Sequence, residues 1–266
     1  MPELAEVDYY RKQWSPGLGQ SILRVNLNGG KRLFRRSDPA LLARQLPGTR
    51  LKDSWSSGKW MLFHLSPSSW LGIHLGMTGS LSVGTPDHLP GKHDHLVLYQ
   101  KKQSLIFTDP RLFGRVNFSL GKESPAWWQA LPPSLLSTKV TFSDIVIFLE
   151  KRGRSPIKAV LLMQERFPGI GNWMADEILW RAGIHPRRQS GKLSEAEQKE
   201  LWKQTRKVVR DALRVIGTTW SGPPDSWLFN HRWKDGGRCP LTGCGLVRES
   251  IGGRTSCWSP KRQAAN

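Results

Sequence analysis

The sequence predicts an α+β protein with more than one domain, an antiparallel β-sandwich followed by a helical domain. Three observations predict this division. Short apolar segments separated by turn residues fill the chain up to about residue 121, and this spacing is typical of a sandwich. Apolar residues at helical spacing dominate from about residue 138 to residue 216. The 266 residues suffice for two ordinary domains, each with its own core.

Two helices are predicted to flank the first strands. One covers Glu3 to Trp14, and the other begins with Asp38 as N-cap and Pro39 at the first helical position, and ends at Gly48. Between them, Ser21 to Asn28 alternates apolar and polar residues, which predicts a strand.

Seven further strands are predicted from short apolar runs bounded by turn residues. They are Leu51–Trp55, Lys59–Leu65, Trp70–Leu75, Ser80–Val83, His95–Tyr99, Ser104–Phe107 and Gly114–Phe118. Together with the first strand, they predict the N-terminal antiparallel sandwich.

The second half of the chain is predicted to be mainly helical. Helices are expected over Thr141–Lys151, Pro156–Gln164, Asn172–Ala182 and Ser194–Ile216. In the last of these, Ser194 and Glu197 form a capping box, and Gly217 is expected to end the helix. A β-hairpin that turns at Gly252-Gly253 is expected near the C-terminus.

The charge of the chain indicates a polyanionic partner. Lysine and arginine total 40 against 21 acidic residues, a formal net charge of +19. Nucleic acid is the first candidate and an anionic membrane surface the second, since a merely solvated surface would carry balanced charges. No run reaches the ~18 apolar residues of a membrane span, and the N-terminus lacks the apolar segment of a signal peptide. Three cysteines, an odd number, favour a reducing compartment, so we expect a cytoplasmic monomer.

The N-terminus carries groups suited to covalent chemistry on a sugar. Removal of Met1 would make Pro2 the terminal residue, with a secondary amine. An α-amino group titrates near ~8, well below a lysine, so a large fraction is an uncharged nucleophile at neutral pH. Such an amine can attack an electrophilic sugar carbon to form a Schiff base, and Glu3 could transfer the proton. Many chains begin Met-Pro without such chemistry, so the other motifs decide.

The N-terminal heptapeptide, Met1 to Val7, resembles the M-P-E-L-P-E-V start of the formamidopyrimidine-DNA glycosylase and endonuclease VIII family. Ala5 stands where the family usually has a second proline. Five further stretches, spread over nearly the whole chain, resemble the same family.

Three of these stretches lie in the predicted sandwich. Lys59 matches a lysine that contacts phosphate and assists β-elimination, although Ser56-Ser57 replaces the basic pair that precedes it in the family. Met77 matches a wedge that fills the hole left by an extruded base. In Lys92-His93-Asp94-His95, the resemblance places His93 near a phosphate and makes His95 structural. Two histidines this close could also bind a metal, but no third ligand lies nearby in the sequence.

The fourth stretch, Thr108 to Gly114, resembles the family's T-D-P-R-x-F-G loop. The resemblance implies that Arg111 faces the orphaned base opposite the lesion and that Phe113 wedges the stack. Guanidinium groups read base edges and aromatic rings stack on bases, so both residue types suit these roles.

The fifth stretch, Ile157 to Pro186, resembles the family's helix–two-turn–helix motif. Its tight loop, Pro168 to Gly171, leads into a helix N-terminus whose N–H groups suit a phosphate. The side chain of Asn172 would add a donor. Further phosphate contacts are expected from Arg152, Arg154 and Lys158.

The C-terminal hairpin departs most from the family, which usually closes with a C-x2-C…C-x2-C zinc finger. When the chain is aligned with this cysteine pattern without gaps, only Cys239 occupies a ligand position. Thr242, Ser259 and Arg262 stand at the other three positions. We therefore expect a finger without zinc. Its tip would still present Arg254 to the phosphates, and the resemblance implies that Arg254 assists δ-elimination. The alternative is a zinc site made by Cys239, Cys244, Cys257 and His231.

The resemblance implies four segments: a catalytic sandwich domain (1–121), a linker (122–137), a helix–two-turn–helix domain (138–220) and a zincless hairpin finger (221–266). It implies a DNA glycosylase with AP lyase activity, acting on damaged double-stranded DNA through Pro2, Glu3, Lys59 and Arg254, without a cofactor. Two alternatives stay open: a non-catalytic DNA-binding paralogue that recognises distorted or abasic DNA, and a basic RNA-binding protein.

Overall fold

A computed structural model describes residues 1–220 and 222–264. The chain forms two compact units. Unit 1 comprises Met1–Pro2 and Glu6–Leu131, and unit 2 comprises Glu3–Ala5 and the chain from Pro132 onward. The predicted segment boundary at residue 221 lies outside the described residues.

Unit 1 contains eight strands and is rich in β-structure. The strands are β1 (Arg24–Leu27), β2 (Arg50–Ser57), β3 (Trp60–Ser66), β4 (Ser69–His74), β5 (Ser80–Gly84), β6 (Asp94–Tyr99), β7 (Ser104–Thr108) and β8 (Arg115–Leu120). The helices are α1 (Leu4–Gln13), whose first two residues belong to unit 2, α2 (Pro39–Gln45) and α3 (Ala126–Gln129). Every predicted strand of the N-terminal part is therefore present.

The strands of unit 1 form two four-stranded antiparallel sheets, which confirms the sandwich. One sheet has the order β1-β6-β7-β5, and the other has the order β2-β3-β4-β8. Apolar side chains from both sheets share one core, which includes Phe63, Ile73, Leu98 and Phe107. Alternate residues of the strands face this core. The turns connect the strands outside the core, so their side chains can be exposed.

The described residues of unit 2 form four α-helices and the C-terminal hairpin. The helices are α4 (Phe142–Lys151), α5 (Ile157–Leu161), α6 (Asn172–Ala182) and α7 (Glu195–Thr219), and the strands are β9 (Val247–Ile251) and β10 (Arg254–Trp258). The apolar face predicted for the last helix is buried, since Leu201, Val208 and Ala212 each have no exposed surface. The capping box is present, with the Ser194 hydroxyl accepting from the Glu197 amide.

Helices α1 and α2 end at Gln13 and Gln45, slightly before their predicted ends, and two helices of unit 2 also end at residues other than those predicted. Helix α5 ends at Leu161 rather than Gln164 because the Gln164 side chain bonds loop backbone, donating to Leu162 and Ile170 and accepting from Gly169. Helix α7 continues through Gly217 to Thr219, so Gly217 as its stop is wrong. The left-handed position that ends the helix is occupied by Trp220, with φ of 52°.

The hairpin turns where the sequence predicts. Gly252 and Gly253 have φ of 59° and 75°, as the two-residue turn that matches the twist of paired strands requires. A side chain on Gly252 would also lie 2.9 Å from the Cβ of Ala159, so the turn packs on α5 without room for one. No helix among the described residues is long and apolar enough to span a membrane.

Candidate active site and nucleic-acid interface

The carboxylate of Glu3 is held by the N-terminus of α6. One oxygen accepts hydrogen bonds from the amides of Gly171 at 2.9 Å and Met174 at 3.1 Å, and the other accepts from Trp173 at 2.9 Å. Glu3 is only 3 % exposed. Three amide donors and the positive end of a helix dipole bind and orient this carboxylate. The residue next to the candidate nucleophile is therefore fixed in one position.

Gly171 makes this contact possible. A Cβ at this position would lie 2.3 Å from Cδ of Glu3, closer than packed atoms approach. The adjacent loop also holds the N-terminal segment, because the amide of Leu4 donates to the carbonyl of Gly169 at 3.0 Å. The loop from Gly169 to Gly171 thus binds the chain's own N-terminal segment.

These contacts correct one sequence expectation. The helix N-terminus after Gly171 was expected to bind a DNA phosphate, but Glu3 already uses the amides of Gly171, Trp173 and Met174. Sequence reasoning identified a site for an anion correctly and assigned the wrong anion. No local sequence pattern links Glu3 to this loop, because 168 positions separate it from Gly171.

The side chain of Asn172 connects α6 to the hairpin. Its Nδ2 donates to the carbonyl of Thr255 at 2.8 Å, next to Arg254 at the start of β10. Arg254 itself is exposed at the turn. Asn172 therefore positions the strand that carries the candidate finger-tip arginine, and its expected phosphate contact stays a prediction.

Lys158 is not available to DNA, so its expected phosphate contact is wrong. Its side chain is fully buried, and Nζ donates to the Asp176 carboxylate and to the carbonyl of Asn172 at 2.7 Å. Burial lowers the pKa of Lys158, and the negative charge of Asp176 opposes that shift. Arg232 is buried as well and donates from Nε to Asp176 at 3.1 Å. A buried ion needs such partners, and this network underlies the start of α6.

The other two basic residues expected near this motif reach the surface. Arg154 is exposed. Arg152 is 40 % exposed and pairs with Glu165 at 2.9 Å, which reduces its net positive field. Both remain predictions as phosphate contacts.

In unit 1, the buried carboxylate of Asp109 orders two neighbouring turns. It accepts from the hydroxyl of Thr78 at 2.8 Å and from the amides of Arg111 at 3.3 Å and Gly114 at 2.7 Å. Asp109 has no exposed surface. A Cβ on Gly76 would lie 2.4 Å from the backbone of Phe113, so the two turns touch through their main chains.

This arrangement brings together three predicted site residues. Met77 and Phe113 are each 41 % exposed, and Arg111 is exposed beside them. The turn needs a left-handed residue at Leu112, with φ of 58°, which is rare for a side chain of this type. Large apolar side chains held outward on ordered turns are suited to enter a base stack.

Sequence reasoning missed Arg32, which completes this cluster. Its guanidinium carbon lies 4.6 Å from the centre of the Phe113 ring, and that of Arg111 lies 4.9 Å from the same ring. Arg32 Nε also donates to the carbonyl of Leu112 at 2.5 Å. No local pattern distinguishes Arg32 from the neighbouring Arg35 and Arg36, so only the fold reveals its place.

Two further predicted residues of unit 1, Lys59 and His93, are half-buried. Lys59 follows Gly58 in the β2–β3 turn, and its charge contributes to lowering the pKa of His74 to about 4, after burial and Arg115. Neutral His74 accepts from the amide of Gly76 at 3.0 Å and so supports the Met77 turn. His95 is buried and bonds the carbonyl of Asp109 at 3.0 Å.

Comparisons with known proteins agree with this arrangement. A sequence model of the formamidopyrimidine-DNA glycosylase N-terminal domain matches residues 1–116, and one of the formamidopyrimidine-DNA glycosylase H2TH domain matches residues 131–222. The formamidopyrimidine-DNA glycosylase of Roseiflexus sp. is 33 % identical over 99 % of this chain and 100 % of its own length. The chain belongs to the formamidopyrimidine-DNA glycosylase family.

Other family members show the same agreement. The formamidopyrimidine-DNA glycosylase of Stenotrophomonas maltophilia (strain K279a) is 33 % identical over 97 % of this chain and 98 % of its own. A solved Lactococcus lactis Fpg (MutM), in complex with DNA containing an oxidised pyrimidine, is 26 % identical with a TM-score of 0.86. The match covers 99 % of this chain and 100 % of that one.

The expected lack of zinc in the C-terminal finger stays a prediction. Among residues 1–220 and 222–264, no three histidine, cysteine or acidic side chains are grouped as metal ligands would be. His231 instead hydrogen-bonds the carbonyl of Asp225 at 2.8 Å. Arg262, at a family ligand position, donates to the carbonyls of Trp180 at 2.6 Å and Arg181 at 2.8 Å.

The hairpin is supported by packing at its base. Cys239 and Cys257 are buried with Trp180 and Leu228. Within the hairpin and the turn that leads into it, Ile251 is buried, whereas Leu246, Val247 and Trp258 are half-buried.

Proposed function

We propose that this chain is a base-excision-repair DNA glycosylase with AP lyase activity. It would remove oxidised or ring-opened bases from damaged double-stranded DNA through a Schiff base on Pro2. Family membership over nearly the whole chain supports this function. The net charge of +19 suits a polyanionic partner. We also propose that the protein acts in the cytoplasm, in association with the nucleoid.

The fixed carboxylate of Glu3 is the observation that carries the proposal. With Met1 removed, the amine of Pro2 is one peptide unit from a carboxylate held by three amides. The protonated amine must lose a proton to become a nucleophile, and the carboxylate of Glu3, the next residue in the chain, would accept it. Protonated Glu3 would then donate to the sugar ring oxygen as the amine attacks the anomeric carbon and the base departs.

The remaining site residues are assigned to binding and elimination. Met77, Arg111 and Phe113 would support extrusion of the damaged base, with Arg32 bracing the Phe113 ring. Lys59 and Arg254 would assist elimination of the flanking phosphates. Contacts from Asn172, His93, Arg152 and Arg154 would position the duplex.

Borohydride trapping tests the nucleophile. Reduction in the presence of DNA that contains an abasic site should link the protein to DNA through the N-terminal peptide, because the reduced iminium is stable. Pro2→Gly should slow this reaction, and protein that retains Met1 should not be trapped. Trapping at an internal lysine would reject Pro2 as the nucleophile.

The same experiment separates the enzyme from a non-catalytic paralogue. A paralogue would bind lesion and abasic duplexes as tightly as the enzyme does, yet give neither a trapped complex nor a released base. A preference for single-stranded RNA over duplex DNA would favour the RNA-binding alternative.

A further inference from the structure

Cys239 and Cys244 lie opposite each other in a narrow antiparallel turn. Arg238 and Gly245 form a β-bridge, and one step inside it the amide of Cys239 donates to the carbonyl of Cys244 at 2.8 Å. One step outside the bridge, the amide of Leu246 donates to Gly237 at 2.8 Å. This pattern places the two cysteines directly opposite each other, joined by one main-chain hydrogen bond, while the carbonyl of Cys239 accepts from the amide of Gly243 at 2.8 Å. Opposed residues of antiparallel strands have Cα atoms about 4.5–5.5 Å apart, within the roughly 4.4–6.8 Å that disulfides span.

The two cysteines also share one small cluster. Cys239 is buried beside Trp180, whose indole N–H donates to its thiol at 3.4 Å, and Cys244 packs against the same cluster. Cys244 Sγ lies 3.1 Å from the hydroxyl of Thr242 and 3.2 Å from that of Ser259. Directly opposed residues of an antiparallel pair have their side chains on one face, so both thiols lie on the same side of the turn.

The surroundings also distinguish this pair from the third cysteine. Cys257 lies on β10, where its amide donates to the buried carboxylate of Asp176 at 3.0 Å. Its exposed fraction is 1 %, whereas Cys244 is half-buried.

We propose that Cys239 and Cys244 are a hydroperoxide-reactive dithiol that closes reversibly to a disulfide at the base of the hairpin. Cys244 is the half-buried member and is the sulfur that a peroxide reaches first, whereas Cys239 is only 2 % exposed. The Cys244 thiolate attacks one peroxide oxygen, the O–O bond breaks, and the other oxygen leaves as hydroxide, producing a sulfenic acid. The Cys239 thiolate then attacks the sulfenyl sulfur, and hydroxide leaves, taking a proton to form water. A small thiol or dithiol reductant restores the pair.

The disulfide would close the turn that leads into β9. This turn occupies the place where family members have zinc ligands, so a covalent bond would supply a cross-link that Thr242, Ser259 and Arg262 do not. The hydroxyls of Thr242 and Ser259, which are poor metal ligands beside thiolates, instead contact the sulfur of Cys244.

Peroxide titration of the full-length protein, reduced first and then freed of reductant, tests the proposal. Two of the three thiols should be lost and recovered with dithiothreitol. Trypsin cleaves after Arg238 and Arg248, so both cysteines fall in one peptide, which should lose two hydrogens in mass and resist alkylation. Cys257 lies in a different peptide and should be alkylated only after denaturation.

Single variants test the order of the steps. Cys239→Ser should accumulate a sulfenic acid at Cys244, detected with dimedone, because the second thiol is gone. Cys244→Ser should leave Cys239 as a thiol, and Cys257→Ala, the matched control, should form the disulfide as the parent does. A disulfide that involves Cys257 or joins two chains would overturn the proposal. So would retention of all three thiols under peroxide that oxidises glutathione, or stoichiometric zinc on Cys239 and Cys244 in protein purified without added metal.

Discussion

Glu3 in unit 2 and Asp109 in unit 1 are two buried carboxylates with similar surroundings and different consequences. Each accepts three hydrogen bonds, and they are 3 % and 0 % exposed. The partners of Glu3 are three amides at one helix N-terminus. The partners of Asp109 are two amides and a hydroxyl, from two different turns. The start of α6 therefore holds the Glu3 carboxylate in place, whereas the Asp109 carboxylate holds two turns together.

The difference shows that burial and hydrogen bonding alone do not identify a reactive group. The hydrogen bonds that Asp109 accepts join two turns, and these turns expose the candidate site residues Met77, Arg111 and Phe113. Glu3 follows Pro2 directly in the chain, so we expect its own carboxylate to take part in proton transfer. Substitutions should therefore affect chemistry at Glu3 and geometry at Asp109.

The largest expected effect is that of Glu3→Gln. The amide cannot accept a proton from Pro2, and its NH2 group would face amide donors at the start of α6. Base excision in single-turnover assays should fall by about 10²–10⁴-fold, the usual contribution of a general acid–base. Trapping on a preformed abasic site should fall less, because the base has already left. Equal loss in both assays would mean that Glu3 acts mainly through the fold.

The second prediction separates the position of Glu3 from its chemistry. Gly171→Ala adds a Cβ 2.3 Å from the Glu3 carboxyl carbon and should displace it. Overpacking costs of ~1–3 kcal/mol correspond to about a 5- to 150-fold loss of excision if the strain falls on Glu3. Gly30→Ala is the matched control, since nothing lies within 4 Å of its added Cβ. Unchanged excision in Gly171→Ala would show that the carboxylate need not be held there.

Asp109→Asn tests the opposite member of the comparison. The amide can no longer accept from Thr78, Arg111 and Gly114 together, and one unsatisfied buried group costs about 1–3 kcal/mol. The free energy of unfolding should fall by that amount in a denaturant titration, while trapping on an abasic site should change by less than about tenfold. A collapse of trapping without loss of stability would make Asp109 a participant in the chemistry.

Arg111→Ala and Arg254→Ala should separate base recognition from phosphate binding. Loss of Arg111 should reduce discrimination of the base opposite the lesion by about 1–3 kcal/mol, with little change in salt dependence. Loss of Arg254 should weaken all duplexes and reduce the slope of log affinity against log salt by about 1. Equal weakening of every duplex and a flatter salt slope for Arg111→Ala would make it a phosphate contact.

The smallest effect concerns the pH dependence of the Met77 turn. The pKa of His74 is lowered from 6.5 to about 4 by burial first, and then by Arg115 and Lys59. Between pH 6.5 and 4 the unfolded chain binds a proton that the folded chain does not, so the free energy of unfolding should fall as the pH falls through this range. The decrease should be smaller in His74→Gln than in the parent or in the control His93→Gln. Identical curves for all three would exclude His74 as its source.

The sequence by itself determined the local elements and the candidate chemistry. Strand alternation, the Asp38 and Ser194 caps and the Gly252-Gly253 turn depend on residues close in the chain, and all are present. The turns that carry Met77 and Arg111 were predicted from the family motifs around them, whereas the contact that joins the two turns, from Thr78 to Asp109, spans 31 positions and has no local signal. The family follows from motifs spread along the chain.

Only the tertiary structure decided which charged groups face solvent and which anion a helix receives. Lys158 looks like a surface cation in the sequence, yet it is buried because Asp176 lies one helix away to pair with it. The amides before α6 look like a phosphate site, yet Glu3 fills it from 168 positions away. Desolvation and pairing depend on neighbours that are distant in sequence, so no local pattern encodes them.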